Sequence, residues 1–168
     1  MLHQLIQGGI IISLIWLFYE DIKRRAISLW ILMTVFLLRL TEVLVLKDAF
    51  RSNDFFLNIM FVVILVSCLY IYVAIRFKNT KSFFDTYFGW GDVLMFFNLS
   101  LFFSFIPFVG FMMLTFVIAL LYALLILLIL KKKLTIPLAG LQAMCLAVLL
   151  VFDNLISDLG IFTMSFLP

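Results

Sequence analysis

Charge is what this sequence lacks most. Only 12% of its 168 residues are Asp, Glu, Lys or Arg, about half the share of an ordinary soluble domain, while 67% are hydrophobic. A mean hydropathy of +1.29 excludes a water-soluble globule and a nucleic-acid-binding surface, and it implies a polytopic membrane protein. Cysteine is scarce too. Cys68 and Cys145 each sit inside an apolar run, with no CxxC pair and no histidine nearby, so they read as small buried hydrophobes and exclude a zinc or dithiol redox centre. The one histidine, His3, and three prolines complete the scarcities. No metal or organic cofactor is expected.

What is present is a series of apolar runs, and they predict an all-α bundle of about six transmembrane helices in a single domain over residues 1–168. The expected spans are 2–20, 27–46, 55–75, 87–106, 108–130 and 134–152, followed by a tail, 153–168, lying on the membrane surface. The first run resembles a signal peptide in length. It has no Lys or Arg ahead of it and no small-residue cleavage site behind it, so it is expected to be retained. Arg39 and Glu42 lie three residues apart in the second run, on one helical face, and are expected to pair structurally. The fourth run, Val93 to Ile106, has 14 strictly apolar-bounded positions and must recruit Tyr87 to Asp92 to reach span length. Pro107 and Gly110 predict a tight turn before the fifth run. Pro137 is expected in the first turn of the sixth, where its missing N–H costs little.

The loops after the first, third and fifth runs hold Lys23, Arg24, Arg25, Arg76, Lys78, Lys81, Lys131, Lys132 and Lys133, nine of the twelve basic residues. The positive-inside rule makes those loops cytoplasmic and puts both chain ends outside. Asp21 closes the first run and Asp92 opens the fourth, so by parity both carboxylates face the cytoplasmic side. Ionisable groups at the ends of membrane-length runs are functional candidates. Two carboxylates in one confined site do not both ionise cheaply. One acts as base on a water while its protonated partner polarises a carbonyl. Gly89 and Gly91, lacking Cβ atoms, would let an extended substrate backbone come close. The plainer alternative makes the glycines a loop and Asp92 the N-cap of the next helix.

Gly89-Trp90-Gly91-Asp92-Val93 resembles the GxGD motif of the type IV prepilin peptidases and preflagellin peptidases, a family of membrane-embedded aspartic proteases. Asp21-Ile22-Lys23-Arg24-Arg25-Ala26-Ile27 resembles the basic stretch that the family's other catalytic Asp opens, D-[IL]-[RK]-x-R-x-I-P-N. Lys133 followed by Ile136-Pro137-Leu138-Ala139 resembles, in shortened form, the segment that starts the family's last span. Ser28 and Leu29 stand where the family usually has Pro-Asn, and Leu94 where a Lys often follows. The resemblance implies an aspartic endopeptidase of the cytoplasmic (inner) membrane with Asp21 and Asp92 as the catalytic dyad and Gly89 and Gly91 along the substrate groove. It implies a prepilin-like protein substrate and membrane lipids as partners, with no nucleic acid. Without a cysteine domain, the likeness is to the short, peptidase-only members. Two alternatives stand beside it: a catalytically inactive peptidase-like scaffold, and a small ion-coupled transporter with Asp92 as its cation site. Lys23, Arg24 and Arg25 are expected to set topology rather than to catalyse.

Overall fold

The computed structural model describes residues 2–24, 27–46, 52–77, 89–130 and 137–159. Among them there are six α-helices and no strands: α1 (Leu2–Arg24), α2 (Leu29–Leu46), α3 (Ser52–Phe77), α4 (Trp90–Leu99), α5 (Phe105–Leu130) and α6 (Leu138–Leu159). Three of them, α1, α3 and α5, are long and apolar enough to cross a membrane.

The inward faces follow from residue spacing. In α1 the buried positions are Gln7, Ile10, Leu14, Leu17 and Asp21, spaced three and four apart in alternation, which places Asp21 on the same stripe as the aliphatic core. In α2 the stripe is Leu32, Val35, Arg39 and Glu42. In α6 it includes Ala139, Ala143 and Ala147, small side chains that let the backbone of a neighbouring helix come close. Accordingly α1 packs most extensively against α6 and α2, while α4 fits between α2 and α6. Helices α3 and α5 pack on each other and on this group. Their outer faces carry a continuous set of exposed apolar residues, such as Met60, Ile64 and Ile71 on α3 and Leu120, Leu124 and Leu128 on α5. Such all-round apolar helices suit a lipid surrounding.

The fourth helix departs from the expected span. It has 10 residues, a length of about 15 Å, half of what a crossing needs. The chain leaves it at Ser100, where turns close from Phe96, Asn98 and Leu99, and α5 starts at Phe105. The tight turn is therefore at 100–104, not at Pro107 and Gly110. Both of those lie inside α5, with Pro107 in the first turn, where no amide partner is lost. The break falls on Asn98-Leu99-Ser100, where Asn98 and Ser100 bond back to the Leu94 and Phe97 carbonyls and compete with helix continuation. At the other end of the chain, α6 runs on through Asp153 to Leu159. Residues 160–168 of the predicted surface tail lie outside the described residues. So do Arg25, Lys78, Lys81 and Lys131–Lys133 of the basic loops.

Candidate functional site

Three helix ends meet at one place: the C-terminal end of α1, the N-terminal end of α4 and the N-terminal end of α6. The first amides of a helix have no carbonyl partner within it. In α6, where the Pro137 carbonyl accepts from the Leu141 N–H, the amides of Ala139 and Gly140 are such free donors. Asp92 Oδ1 accepts from the Ala139 N–H at 3.0 Å, and Asp21 Oδ2 accepts from the Gly140 N–H at 2.7 Å. Adjacent amide nitrogens are at most about 4 Å apart by backbone bond lengths, so the two bound carboxylate oxygens lie within about 10 Å of each other. The carboxylates are near enough to interact electrostatically.

Each carboxylate is delivered by local sequence. Asp21 is buried, 6% exposed, because it continues the inward stripe of α1 one turn beyond Leu17. Lys23 and Arg24, two and three residues on, are exposed at the end of the helix, where their charge complements the macrodipole. Lys23 donates to the Tyr19 hydroxyl at 2.8 Å, and Arg24 lies 3.8 Å from Glu20, so neither turns toward the carboxylates. Asp92 lies in the first turn of α4. The helix is capped by Gly89, in extended conformation, and not by Asp92 itself. The Asp92 carboxylate instead reaches back to the backbone of Gly89 and across to α6.

The glycines serve close approaches within the chain. A Cβ on Gly140 would stand 2.9 Å from Asp21 Cβ and 2.8 Å from its Oδ2, so glycine is what lets α1 and α6 bring the carboxylate onto the amide. A Cβ on Gly91 would meet Ile27 at 2.6 Å from Cδ1 and 3.2 Å from Cβ. The close contact at Gly91 is thus made by Ile27, the isoleucine of the basic stretch that follows Asp21. Gly89 is exposed and faces Asp92, 3.3 Å from its Oδ2 to the position of a Cβ.

A second polar cluster lies at the other end of α1. Arg39 and Glu42 pair as their spacing predicts, with Nη1 donating to Oε2 at 2.7 Å, and both are buried. His3 Nδ1 stands 3.0 Å from Glu42 Oε1. His3 and Asp21 are 18 positions apart on one helix, about 27 Å, so this cluster is separate from the two aspartates. Among the described residues no three His, Cys, Asp or Glu side chains are grouped as a metal would require.

Of the two donors, Ala139 belongs to the Ile136-Pro137-Leu138-Ala139 segment, whose sequence does not announce an amide for a carboxylate, and Gly140 carries no signal beyond that of a small residue near a helix N-terminus. No protein-family model, curated protein or solved structure matches this chain.

Proposed function

We propose that the chain is a multi-pass aspartic endopeptidase of the cytoplasmic membrane that cleaves the leader peptide of type IV prepilin-like proteins, with Asp21 and Asp92 as the dyad. One observation carries the reading: carboxylates from two different helices converge on consecutive amides, Ala139 and Gly140, of a third. Capping α6 needs one such acceptor, and a serine would do. Bringing two like charges to one partly buried corner costs repulsion, which a structural cap gives no reason to incur and a shared-proton pair does.

In the reaction one aspartate, ionised, takes a proton from water as the oxygen attacks the peptide carbonyl. The other, protonated, donates to the carbonyl oxygen. Collapse of the tetrahedral species breaks the C–N bond: the amine leaves with a proton from the first aspartate, and a hydroxyl of the tetrahedral species returns its proton to the second as the carboxylic acid forms. The amides of Ala139 and Gly140 each hold one carboxylate oxygen, and Asp92 also reaches the backbone of Gly89, so the carboxylates are oriented for water and substrate by backbone donors. Lys23 and Arg24 stay in the role of topology determinants. The described residues give Gly91 to Ile27, so of the two motif glycines Gly89 is the one left open to a substrate strand.

A half-length helix with an acidic residue in its first turn also suits a cation site in a small transporter, and the 10 residues of α4 favour that as the second reading. Co-expression with a prepilin-like protein separates the two. A leader-length mobility shift that disappears in Asp21→Asn and in Asp92→Asn supports the endopeptidase, and a substrate left intact by the parent chain rejects it.

A further inference from the structure

Helices α2 and α4 run in the same direction and touch at three levels. Near their starts Ile27, just ahead of α2, fills the space beside Gly91. Midway, Phe36 stacks on Phe97 with ring centroids 5.9 Å apart. Beyond the end of α4, Arg39 Nε donates to the Leu101 carbonyl at 3.3 Å, and its guanidinium lies 5.2 Å from the Phe102 ring centre. The partners advance together along both chains, so the three contacts define one register.

The last contact has a helper from α3. Asn58 Nδ2 donates to the Ser100 carbonyl at 3.2 Å and to the Phe103 carbonyl at 2.8 Å. Carbonyls past a helix end have no partner inside the helix. Here that end is buried, with Ser100, Leu101, Phe102 and Phe103 all under a tenth exposed. Arg39 is itself fixed by Glu42.

We propose that Arg39 and Asn58 are positioning residues for Asp92. They grip the turn at one end of a rigid helix of 10 residues, and the carboxylate it carries in its first turn is thereby held in register with Ala139. A helix this short has little stability of its own, so its place along the axis is set by what grips its ends. A slip of one residue moves Asp92 by about 1.5 Å, enough to break a 3.0 Å hydrogen bond. The catalytic consequence rests on the endopeptidase reading, whereas the geometric one does not.

The test uses Arg39→Lys, which keeps a cation for Glu42 but loses the Nε–H, and Asn58→Leu, which keeps size but loses both donors. The first readout is independent of activity. In a Cys68→Ser/Cys145→Ser background, Asp92→Cys is alkylated by a maleimide in native membranes. Either variant should speed the reaction several-fold, while Thr41→Ala, on the exposed face of α2, should not. Alkylation at the parent rate in both variants overturns the proposal.

The second readout is cleavage of a prepilin-like substrate by the variants that keep Asp92. A misplacement of this size should lower kcat about 10- to 100-fold with KM unchanged and protein level normal. A parent-like kcat at normal protein level overturns the proposal, as does a loss of activity that only tracks loss of protein. Should Asn58→Leu not accumulate, Arg39→Lys and Asn58→Ser decide by the same two measurements. If Asp21→Asn and Asp92→Asn process substrate normally, the endopeptidase reading fails, and the alkylation rates still decide the register.

Discussion

Asp21 and Gly140 meet where α1 crosses α6, with Asp21 Oδ2 accepting from the Gly140 N–H at 2.7 Å and no room between them for a side chain. The Oδ2 atom could swing away from a methyl group, but Asp21 Cβ, 2.9 Å from where that methyl would sit, moves only with α1 itself. Gly140→Ala should therefore part the two helices at this end. Overpacking of this kind costs about 1–3 kcal/mol. The expected result is a lowered thermal midpoint in detergent together with a large loss of cleavage. Gly110→Ala is the control: nothing lies within 4 Å of the added atom, and in the interior of α5 alanine is the better helix former by about 1 kcal/mol.

Asp21→Asn and Asp92→Asn keep shape and an acceptor for the α6 amides while removing the exchangeable proton. Either alone should reduce cleavage by at least about a thousandfold, and the double variant should be no worse, because members of one catalytic unit are strongly non-additive. Asp48→Asn and Asp85→Asn, in the polar links of the sequence, should process substrate at the parent rate. Both dyad variants should accumulate in the membrane normally, as measured by immunoblot. Parent-rate processing by either would return that residue to a capping role on α6.

How much of this was legible beforehand depends on the kind of signal. Helix content, the pairing of Arg39 with Glu42 and the common end shared by Asp21 and Asp92 follow from hydrophobic run length, three-residue spacing and the parity of crossings, all of which one sequence displays. The fourth span did not follow. Residues 93–106 are strongly apolar on average, and mean hydropathy cannot see that Asn98 and Ser100, two of their three polar side chains, bond back to the chain and end the helix at Leu99. The role of Gly91 was half legible. Its spacing announced a close approach, but which backbone or side chain approaches is a tertiary fact, and it is Ile27.

The pair of Glu42 with Arg39 should be costly to break from one side. Glu42 is 1% exposed and Arg39 6%, so Glu42→Ala removes one charge of a buried pair, a loss of up to about 3–5 kcal/mol. His3→Ala removes a half-exposed neighbour and should cost no more than about 1 kcal/mol. Thermal unfolding of the purified protein in detergent measures both. Equal effects would mean that His3, not Arg39, is the partner that holds Glu42 in place.

The orientation inferred from the basic loops has its own check. A reporter active only outside the cytoplasm should be active when fused after Asp54 or at Pro168 and silent after Lys81 or Lys133. Since Asp21 and Asp92 share one end of the bundle, activity after Lys81 would carry the whole site to the outer face. A cytoplasmic-side leader could not then reach it.

Gly91 offers the sharpest test of how the two motif stretches depend on each other, because the obstacle to a side chain there is one identified residue. The nearest atom to an added Cβ is Ile27 Cδ1 at 2.6 Å, the far end of a flexible side chain, followed by Ile27 Cβ at 3.2 Å and Cγ1 at 3.3 Å. Gly91→Ala should displace either Ile27 or the start of α4, and since Asp92 is the next residue, cleavage should fall more than stability does. Ile27→Val deletes the atom that clashes worst at a cost of about 0.5–1.5 kcal/mol for the lost methyl group. In the double variant the two residues fit again apart from the milder contacts, so Gly91→Ala should be markedly less harmful in the Ile27→Val background than in the parent. A coupling of about 0.5–3 kcal/mol is the range for residues in contact. The cycle is read twice, by thermal midpoint and by cleavage rate. Additive losses in both would mean that Ile27 is not what Gly91 makes room for, and an incoming substrate strand would then be the better account of the glycine.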